Sequence, residues 1–211
     1  MVAPIDICNG AIMRLGGQLI TSLTENSVAA IACNSQYDIV RRDLLRSHPW
    51  NFAIKFAALA QNLTPPLFSY DFSYALPTDC LRVLTTQDQL DSYLFNYGGD
   101  FNGFVTINNK VDYALADVYK IVGRDLYSNN GTVKIRYIAD ITDTSMFDPS
   151  FVELLQIRLA YVICYQLTGS TQMRNDLKVE LEELMRSAKE NNGQEGTRER
   201  IEMSAWLTSR G

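Results

Sequence analysis

The chain lacks the paired cysteines and the histidines from which zinc sites are usually built. Its 211 residues include one histidine, His48, and no C-x-x-C pair. A structural zinc site takes four ligands, mostly Cys and His at close spacings, and with one His and no paired Cys the sequence has almost no ligand supply for it. The cysteines stand in apolar or helical contexts, and we interpret them as small buried hydrophobic residues in a reducing environment. They are Cys8, Cys33, Cys80 and Cys164.

Clustered positive charge and long apolar runs are also missing. The net charge is −5 and the pI is about 4.9. Specific DNA binding needs grouped Lys and Arg side chains, so we do not expect it. An acidic protein could still line a passage through which DNA slides. No run of about 18 uncharged apolar residues exists, and residues 1–17 lack the charged start of a signal peptide, so we expect no membrane segment and no secretory leader.

Catalytic motifs are absent as well. The sequence contains no G-x-S-x-G, Walker loop or G-x-G-x-x-G. His48 is the only side chain that could act as the base of a Cys-His nucleophile. It precedes Pro49 at a predicted helix end, where the negative end of the helix dipole favours a protonated imidazole. We therefore interpret His48 as a capping residue and expect that the protein is not an enzyme.

Carboxylates are the only catalytic groups in good supply. A glycoside hydrolase needs two of them facing each other across a groove. Asp71 with Asp79, or Glu25 with Asp38, could be imagined in that role. Their spacing does not distinguish them from acidic residues on a solvated helix face, such as Glu182. A structural or interaction protein remains the favoured interpretation.

Apolar residues at three- and four-residue steps predict two helices at each end of the chain. The first ends at Gly16-Gly17, and the second runs from Asn26-Ser27 to His48. In the second, we expect Val28, Ile31, Tyr37, Val40 and Leu44 to point inward, and Arg41, Arg42, Asp43 and Arg46 to lie largely outside. The third begins at Asp148-Pro149 and is apolar on most sides, so it should be central. The fourth follows a break at 168–170, and its pattern ends at Ala188.

Between these helix pairs the period changes to two, as in β-strands. The segment SHPWNFAIKF (47–56) contains the change, and we expect Trp50 and Phe52 to be buried there. Asn129-Asn130-Gly131 predicts a hairpin turn. Short spacing between strands favours antiparallel pairing. The predicted strands cover 52–58, 69–77, 80–86, 91–97, 103–107, 118–122 and 132–138.

The sequence therefore predicts an α+β protein in which a four-helix bundle carries an inserted antiparallel β-rich domain. The bundle comprises residues 1–48 and 148–192, and the inserted domain comprises residues 49–147. Residues 193–211 form a polar tail that contains a few apolar residues near its end. We expect this tail to become ordered against a partner, although folding back onto the bundle remains an alternative.

Four segments in this order resemble the tail tubular protein A family, the head-to-tail adaptors of short-tailed bacteriophages. They are HPWNFA (48–53), YDFSYALPTDCLRV (70–83), VKIRYIAD (133–140) and FDPSFVELLQIRLAYVICYQLTGS (147–170). The resemblance extends to about residue 192. It implies a helical bundle with an inserted β domain, assembled as a ring of 12 copies between the portal and the tail nozzle.

The resemblance also implies partners and sites. The partners are the phage portal protein, a nozzle protein similar to tail tubular protein B, and DNA that passes through the lumen without specific binding. It implies a virion protein of the tail connector, with no cofactor and no metal. We predict a structural junction at His48, Pro49, Trp50 and Phe52, and portal-binding residues in the tail at Arg198, Arg200, Ile201, Met203, Trp206 and Leu207. The alternatives are a peptidoglycan hydrolase that acts during phage entry and an unrelated soluble interaction module.

Overall fold

The computed structural model of the chain describes residues 2–87, 106–107, 110–111 and 119–194. These residues form a mixed α+β fold with four α-helices and two small three-stranded antiparallel sheets, which confirms the predicted α+β class. The chain divides into two compact units. The helical unit comprises residues 2–54 and 138–194, and the β unit comprises the described residues from 55 to 137.

Helix ends in the helical unit follow the local chemistry of the sequence. The Ser27 hydroxyl accepts a hydrogen bond from the backbone N–H of Ala30, and the Asp148 carboxylate accepts one from that of Ser150 at 2.8 Å. Each caps an otherwise unpaired helical N–H. Gly169 adopts a φ of 64°, which suits glycine and ends a helix. The helices are α1 (Pro4–Arg14), α2 (Val28–Ser47), α3 (Pro149–Thr168) and α4 (Thr171–Gln194).

Helix α3 is the centre of the helical unit, because it packs against α1, α2 and α4. This confirms the prediction made from its apolar circumference. Burying apolar side chains on most of its circumference lets this helix contribute hydrophobic stabilisation at each of these contacts. The buried residues of α3 are Phe151, Leu154, Leu155, Ile157, Leu159, Ala160, Ile163 and Cys164.

Three expectations for α2 are wrong. Val28 and Ile31, which were expected to face inward, are 61% and 54% exposed. Arg41, which was expected outside, is only 3% exposed. The helix buries the face of Ala30, Cys33, Tyr37, Val40 and Leu44, so the apolar stripe that begins at Val28 lies on its outer side.

Helix α4 continues past the point where its apolar pattern ends. The prediction ended the pattern at Ala188, whereas the helix extends to Gln194. Its last turn is polar, and its Asn192 is only half-buried. Contacts of Asn192 with residues near the end of α2 stabilise this last turn of α4. The apolar periodicity of the sequence gives no sign of them.

A short 3-10 turn, Asn51–Ala53, stands where a strand had been predicted to begin at Phe52. The strands are β1 (Ile54–Ala58), β2 (Phe72–Ala75), β3 (Cys80–Thr86), β4 (Thr106–Ile107), β5 (Lys110–Val111), β6 (Lys120–Val122), β7 (Asp125–Ser128) and β8 (Lys134–Ala139). One sheet has the strand order β1-β8-β3 and the other β2-β7-β6, and β4 pairs with β5. The predicted strand at 91–97 lies outside the described residues.

The hairpin in this region lies earlier than predicted. Strands β6 and β7 pair antiparallel with Val122 opposite Asp125, so their turn is Gly123-Arg124. Gly123 has a φ of 63°, a conformation that glycine adopts without strain. Residues 129–131 instead connect β7 to β8, which belong to different sheets. The predicted hairpin across Asn129–Gly131 is therefore wrong.

Candidate functional site at the His48–Phe52 junction

Helix α2 ends at His48, whose backbone is extended with φ −144° and ψ 146°. The following proline disfavours helical geometry at this position. The carbonyl of Leu44 in the last turn accepts hydrogen bonds from the Ser47 hydroxyl at 2.7 Å and from the Trp50 indole N–H at 3.1 Å. The junction therefore satisfies this carbonyl with neutral donors from neighbouring residues.

Trp50 anchors an aromatic cluster in the helical unit. Its side chain is 1% exposed, and its ring contacts Phe151 edge-on at a centroid distance of 5.2 Å. Phe52 is half-buried and contacts both Phe147 and Phe151 at 5.8 and 5.0 Å. Such edge-on and tilted ring pairs add stabilisation beyond the buried area. We call Trp50, Phe52, Phe147 and Phe151 the aromatic cluster.

Asn192 of α4 holds the same segment through its side-chain amide. Its Oδ1 accepts the backbone N–H of Asn51 at 2.9 Å, and its Nδ2 donates to the carbonyl of Pro49 at 3.3 Å. Nδ2 also lies 3.1 Å from Nε2 of His48. The Asn51 side-chain amide donates a hydrogen bond to the backbone carbonyl of Asn192 at 2.8 Å. We call this set of contacts the Asn192 clasp.

The clasp fixes the role of the histidine ring. The Asn51 N–H can only donate and the Pro49 carbonyl can only accept, so the Asn192 amide has one orientation that satisfies both. In that orientation its Nδ2 donates to Nε2 of His48, which must be unprotonated to accept. The ring also packs edge-on against Trp50 at 4.8 Å. His48 therefore takes part in the clasp as a neutral acceptor and not as the charged cap that the helix dipole suggested.

A second polar cluster ties α2 to the end of β8. The Arg41 guanidinium pairs with the Asp140 carboxylate and donates to the carbonyl of Ile141. It also pairs with Asp38 at 3.2 Å, one turn earlier. Arg42, which is far more exposed, pairs with the other Asp140 oxygen at 3.2 Å. A buried guanidinium needs this set of acceptors, because desolvating the charge alone is costly.

Asp79, one of the carboxylates considered for catalysis, is engaged by two donors in the β unit. Lys55 pairs with one oxygen at 2.9 Å and the Tyr137 hydroxyl donates to the other at 3.1 Å. Burial alone acts to raise the pKa of Asp79, but the hydrogen bonds and the Lys55 charge outweigh it and hold the pKa below its usual value. Burial and the bond to Asp79 raise the pKa of Tyr137 to about 12. An ionised carboxylate with both oxygens engaged suits a structural role better than that of a general acid.

Glu25, from the other considered pair, accepts hydrogen bonds from the backbone N–H and the hydroxyl of Thr21 at 3.0 and 3.1 Å. These bonds lower its pKa, the backbone bond most strongly. Its contacts therefore stabilise the loop before α2. Asp38 is exposed and pairs with Arg41.

The cysteines are buried free thiols, and none forms a disulfide. The hydrogen bond of Cys8 to Cys33, together with burial, raises the pKa of the Cys8 thiol. Within the described ranges, no group of three His, Cys, Asp or Glu side chains is placed to hold a metal ion. Among the helices that the structure describes, none is both long and apolar enough to cross a bilayer.

Large apolar side chains lie exposed on both units. In the helical unit, Ile39 is 61% exposed on the outer face of α2, in line with Val28 and Ile31. In the β unit, the loop before β2 exposes Leu63, Leu67 and Phe68 almost completely. Apolar groups of this kind commonly mark surfaces that another protein covers.

Hydrogen bonds of neighbouring polar residues hold the base of the 63–68 loop. The Asn62 amide donates to the Asp125 carboxylate at 3.1 Å, and its backbone N–H donates to the Ser73 carbonyl at 2.8 Å. The Ser73 hydroxyl donates to the Thr64 carbonyl at 3.1 Å. The loop is thus fixed at its base while its apolar side chains point into solvent.

The predicted site residues fall into two groups. The junction residues His48, Pro49, Trp50 and Phe52 are described, and the structure brings them together with Phe147, Phe151 and Asn192. The sequence analysis missed Asn192, and its position in a polar stretch gave no signal. The predicted portal-binding residues all lie outside the described residues. They are Arg198, Arg200, Ile201, Met203, Trp206 and Leu207.

Comparison with protein-family models finds no match to the chain, and comparison with curated proteins finds no significant match.

Proposed function

We propose that the protein is a structural virion component, a head-to-tail adaptor whose copies form a ring between the phage portal and the tail nozzle. In this proposal the helical unit is a four-helix bundle, the β unit is its inserted domain, and the residues after Gln194 form a tail that orders against the portal. The protein is made in the host cytoplasm and performs no catalysis. DNA passes through the lumen of the ring without sequence-specific contacts.

The observation that supports this proposal most strongly is that the four segments carrying the resemblance contact one another in pairs. Phe52 of the first segment packs on Phe147 and Phe151 of the fourth. Asp79 of the second accepts a hydrogen bond from Tyr137 of the third. If these segments resemble the family because they stabilise a common fold, their residues should contact one another. The two contacts agree with that expectation.

The exposed apolar side chains support an assembly role. A chain that forms a ring through heterologous contacts needs two different surfaces, each of which is covered by the next copy or by a partner. Val28, Ile31 and Ile39 on the outer stripe of α2 and Leu63, Leu67 and Phe68 in the β unit are exposed, and in this proposal they supply the two surfaces. The negative net charge agrees with a lumen that DNA crosses without being held.

The test is assembly on portal rings, observed by electron microscopy of the protein mixed with its portal. We expect an added ring of density on the portal, and we expect a chain that ends at Gln194 to remain folded without binding. The truncation must leave Asn192 in place, because the clasp belongs to the helical unit. A matched full-length variant with Ile201, Met203, Trp206 and Leu207 changed to serine tests whether apolar contacts carry the binding.

Three results would contradict the proposal. Undiminished portal binding by the truncated chain would rule out the tail as the binding segment. Clearing of peptidoglycan in a zymogram, abolished by a carboxylate substitution that leaves the fold intact, would instead indicate a hydrolase. Failure of the full-length chain to bind any portal ring would leave the interaction-module alternative in its place.

A further inference from the structure

The outer stripe of α2 is arranged symmetrically about one small residue. Val28, Ile31 and Ile39 are 61%, 54% and 61% exposed, and the exposed Ser35 lies between the two isoleucines. Successive residues of an α-helix are rotated by about 100°, so these four positions lie within roughly 40° of the direction in which Ser35 points. Leu44, at 2% exposure, lies on the opposite side of the helix. The stripe therefore faces directly away from the buried face of α2.

The order of these residues makes the stripe complementary to a reversed copy of itself. Ile31 lies four residues before Ser35, and Ile39 lies four residues after it. When two α2 helices cross antiparallel at Ser35, Ile31 of each copy meets Ile39 of the other. An isologous contact of this kind uses the same surface on both chains and closes with two copies.

The centre of the stripe allows two helices to approach closely. Ser35 has a small side chain, and its hydroxyl donates to the carbonyl of Ala32 at 2.9 Å, so this donor keeps its partner when water is excluded. Packed helix axes lie about 8–10 Å apart, and Cα atoms lie about 2.3 Å from their axis. Facing Cα atoms at the crossing point are then about 3.5–5.5 Å apart.

The charged residues along the stripe are compatible with this pairing. Asp38 and Arg42 each form an ion pair within their own chain at 3.2 Å. Reversal brings Arg46 of one copy toward the first turn of the other α2, just before which Glu25 stands, and these two charges are opposite. In the same register Arg42 lies level with Val28 of the second copy, and its aliphatic stem can cover that side chain.

We infer that the outer stripe of α2 is a homodimer contact, in which two copies of the chain pair antiparallel with Ser35 at the two-fold axis. Three half-exposed apolar side chains from each copy cover far less surface than the roughly 1,200–2,000 Å² of stable specific complexes. The dimer is therefore weak, and we expect a dissociation constant on the order of 100 µM.

This inference concerns the free chain and goes beyond the proposed ring. In the ring proposal the same side chains contact a different surface, so the free dimer has to open before the chain joins a ring. Binding to the portal withdraws chains from the dimer by mass action. Because the isologous contact closes with two copies, it covers the stripe without starting a filament.

Cysteine cross-linking of the full-length protein tests the inference. The four native cysteines are buried, so Ser35→Cys adds one accessible thiol. Residues on a two-fold axis meet their own copies, and the expected Cα separation overlaps the roughly 4.4–6.8 Å that a disulfide needs. At about 100 µM protein under mild oxidation, we expect Ser35→Cys to form covalent dimers at least about tenfold faster than Val179→Cys, which places a thiol at an exposed position of α4.

Two off-axis cysteines test the register. Ile31→Cys alone and Ile39→Cys alone should cross-link slowly, because in each case the two thiols lie about 12 Å apart along the helix axis. A mixture of the two variants should cross-link rapidly, since position 31 of one chain meets position 39 of the other. Without oxidant, the double variant Ile31→Ser, Ile39→Ser should raise the dissociation constant at least about tenfold in sedimentation equilibrium, whereas Val179→Ser should leave it unchanged.

Equal cross-linking rates for Ser35→Cys and Val179→Cys overturn the inference. Rapid cross-linking of the mixed variants without cross-linking of Ser35→Cys indicates a contact that has no two-fold axis at Ser35, and overturns it as well. An unchanged dissociation constant in the double serine variant assigns any dimer to another surface and has the same consequence. None of these measurements involves a portal ring, so a failure here is distinct from a failure of the adaptor proposal.

Discussion

Substituting Asn192 by alanine tests whether the clasp holds the end of α4 to the junction. The change removes three side-chain contacts: the bond from Asn51 N–H at 2.9 Å, the bond to the Pro49 carbonyl at 3.3 Å, and the contact with His48 Nε2 at 3.1 Å. A net hydrogen bond contributes about 0.5–1.5 kcal/mol. One of the three is long and the site is only half-buried, so we expect a loss of about 2 kcal/mol in the free energy of unfolding.

Asn191→Ala is the control for this measurement. Asn191 is the preceding residue of the same helical turn, and its side chain is exposed. Both substitutions gain the same helix propensity, roughly 0.5 kcal/mol in favour of alanine. The difference between the two variants therefore isolates the clasp from the intrinsic preference of alanine for helix.

Urea denaturation followed by Trp50 fluorescence, in a Trp206→Phe background, gives the free energies. Hydrogen exchange of the amides in the last turn of α4 reports local fraying that a global transition would miss. We expect faster exchange there in Asn192→Ala only. If the two variants differ by less than about 0.5 kcal/mol and exchange alike, the contacts do not stabilise the junction and the reasoning fails.

Four further substitutions test the clusters of the two units. Trp50→Ala should cost about 3–5 kcal/mol by urea denaturation, as large aromatic truncations in cores do, and an unchanged stability would contradict the burial of Trp50. Arg41→Met should lower the free energy of unfolding by about 3 kcal/mol, and Arg42→Met should lower it by less than about 1 kcal/mol. Both side chains pair with Asp140, but only Arg41 is buried. Equal losses in the two variants would refute this reasoning. Because the folded pKa of Asp79 is depressed, its stabilisation is present above its unfolded pKa of about 3.9 and is lost as pH falls through the folded value. The stability difference between wild type and Asp79→Asn should therefore shrink between pH 6 and pH 3, and a constant difference would show that the pKa shift is absent.

The parts of the fold that follow from neighbouring residues could be predicted from the sequence. The cap at Asp148, the proline at the next position and the glycine at 169 act within one helical turn, so their effect is visible in a short window. The same holds for the end of α2 before Pro49. The central position of α3 also follows locally, since a helix that is apolar on most sides can only be stable when it is surrounded.

Arg41 shows why the rest could not be predicted. Its partner Asp140 lies 99 residues further along the chain, and no pattern around position 41 indicates that an acceptor will be present. Without that acceptor, an arginine between other charged residues is expected in solvent. Asn192 is a similar case, because an amide in a polar stretch becomes informative only when Asn51 and Pro49 are placed beside it.

Val28 and Ile31 show the limit of periodicity. Their spacing is typical of a buried helical face. The helix does bury one face, but it is the adjacent face and not the one that contains Val28 and Ile31. A helix with apolar residues on two sides has more than one way to satisfy its pattern, and the contacts of α3 decide which side is covered within the chain. Exposed apolar surface of this kind commonly accompanies partner binding, so a wrong burial prediction points to a surface worth testing.

The residues that form the buried clusters differ from those that expose large apolar side chains. The aromatic cluster, the Asn192 clasp and the Arg41 cluster are formed by residues of the helical unit. The side chains of Val28, Ile39 and Phe68 contribute little to those clusters and remain in contact with solvent. Because free energy is lost only where contacts are lost, substitutions in the first set should act on stability and those in the second on association. His48, the sole histidine, belongs to the first set. Its Nε2 contacts the Asn192 side chain, so the histidine helps to hold the end of α4 against the end of α2.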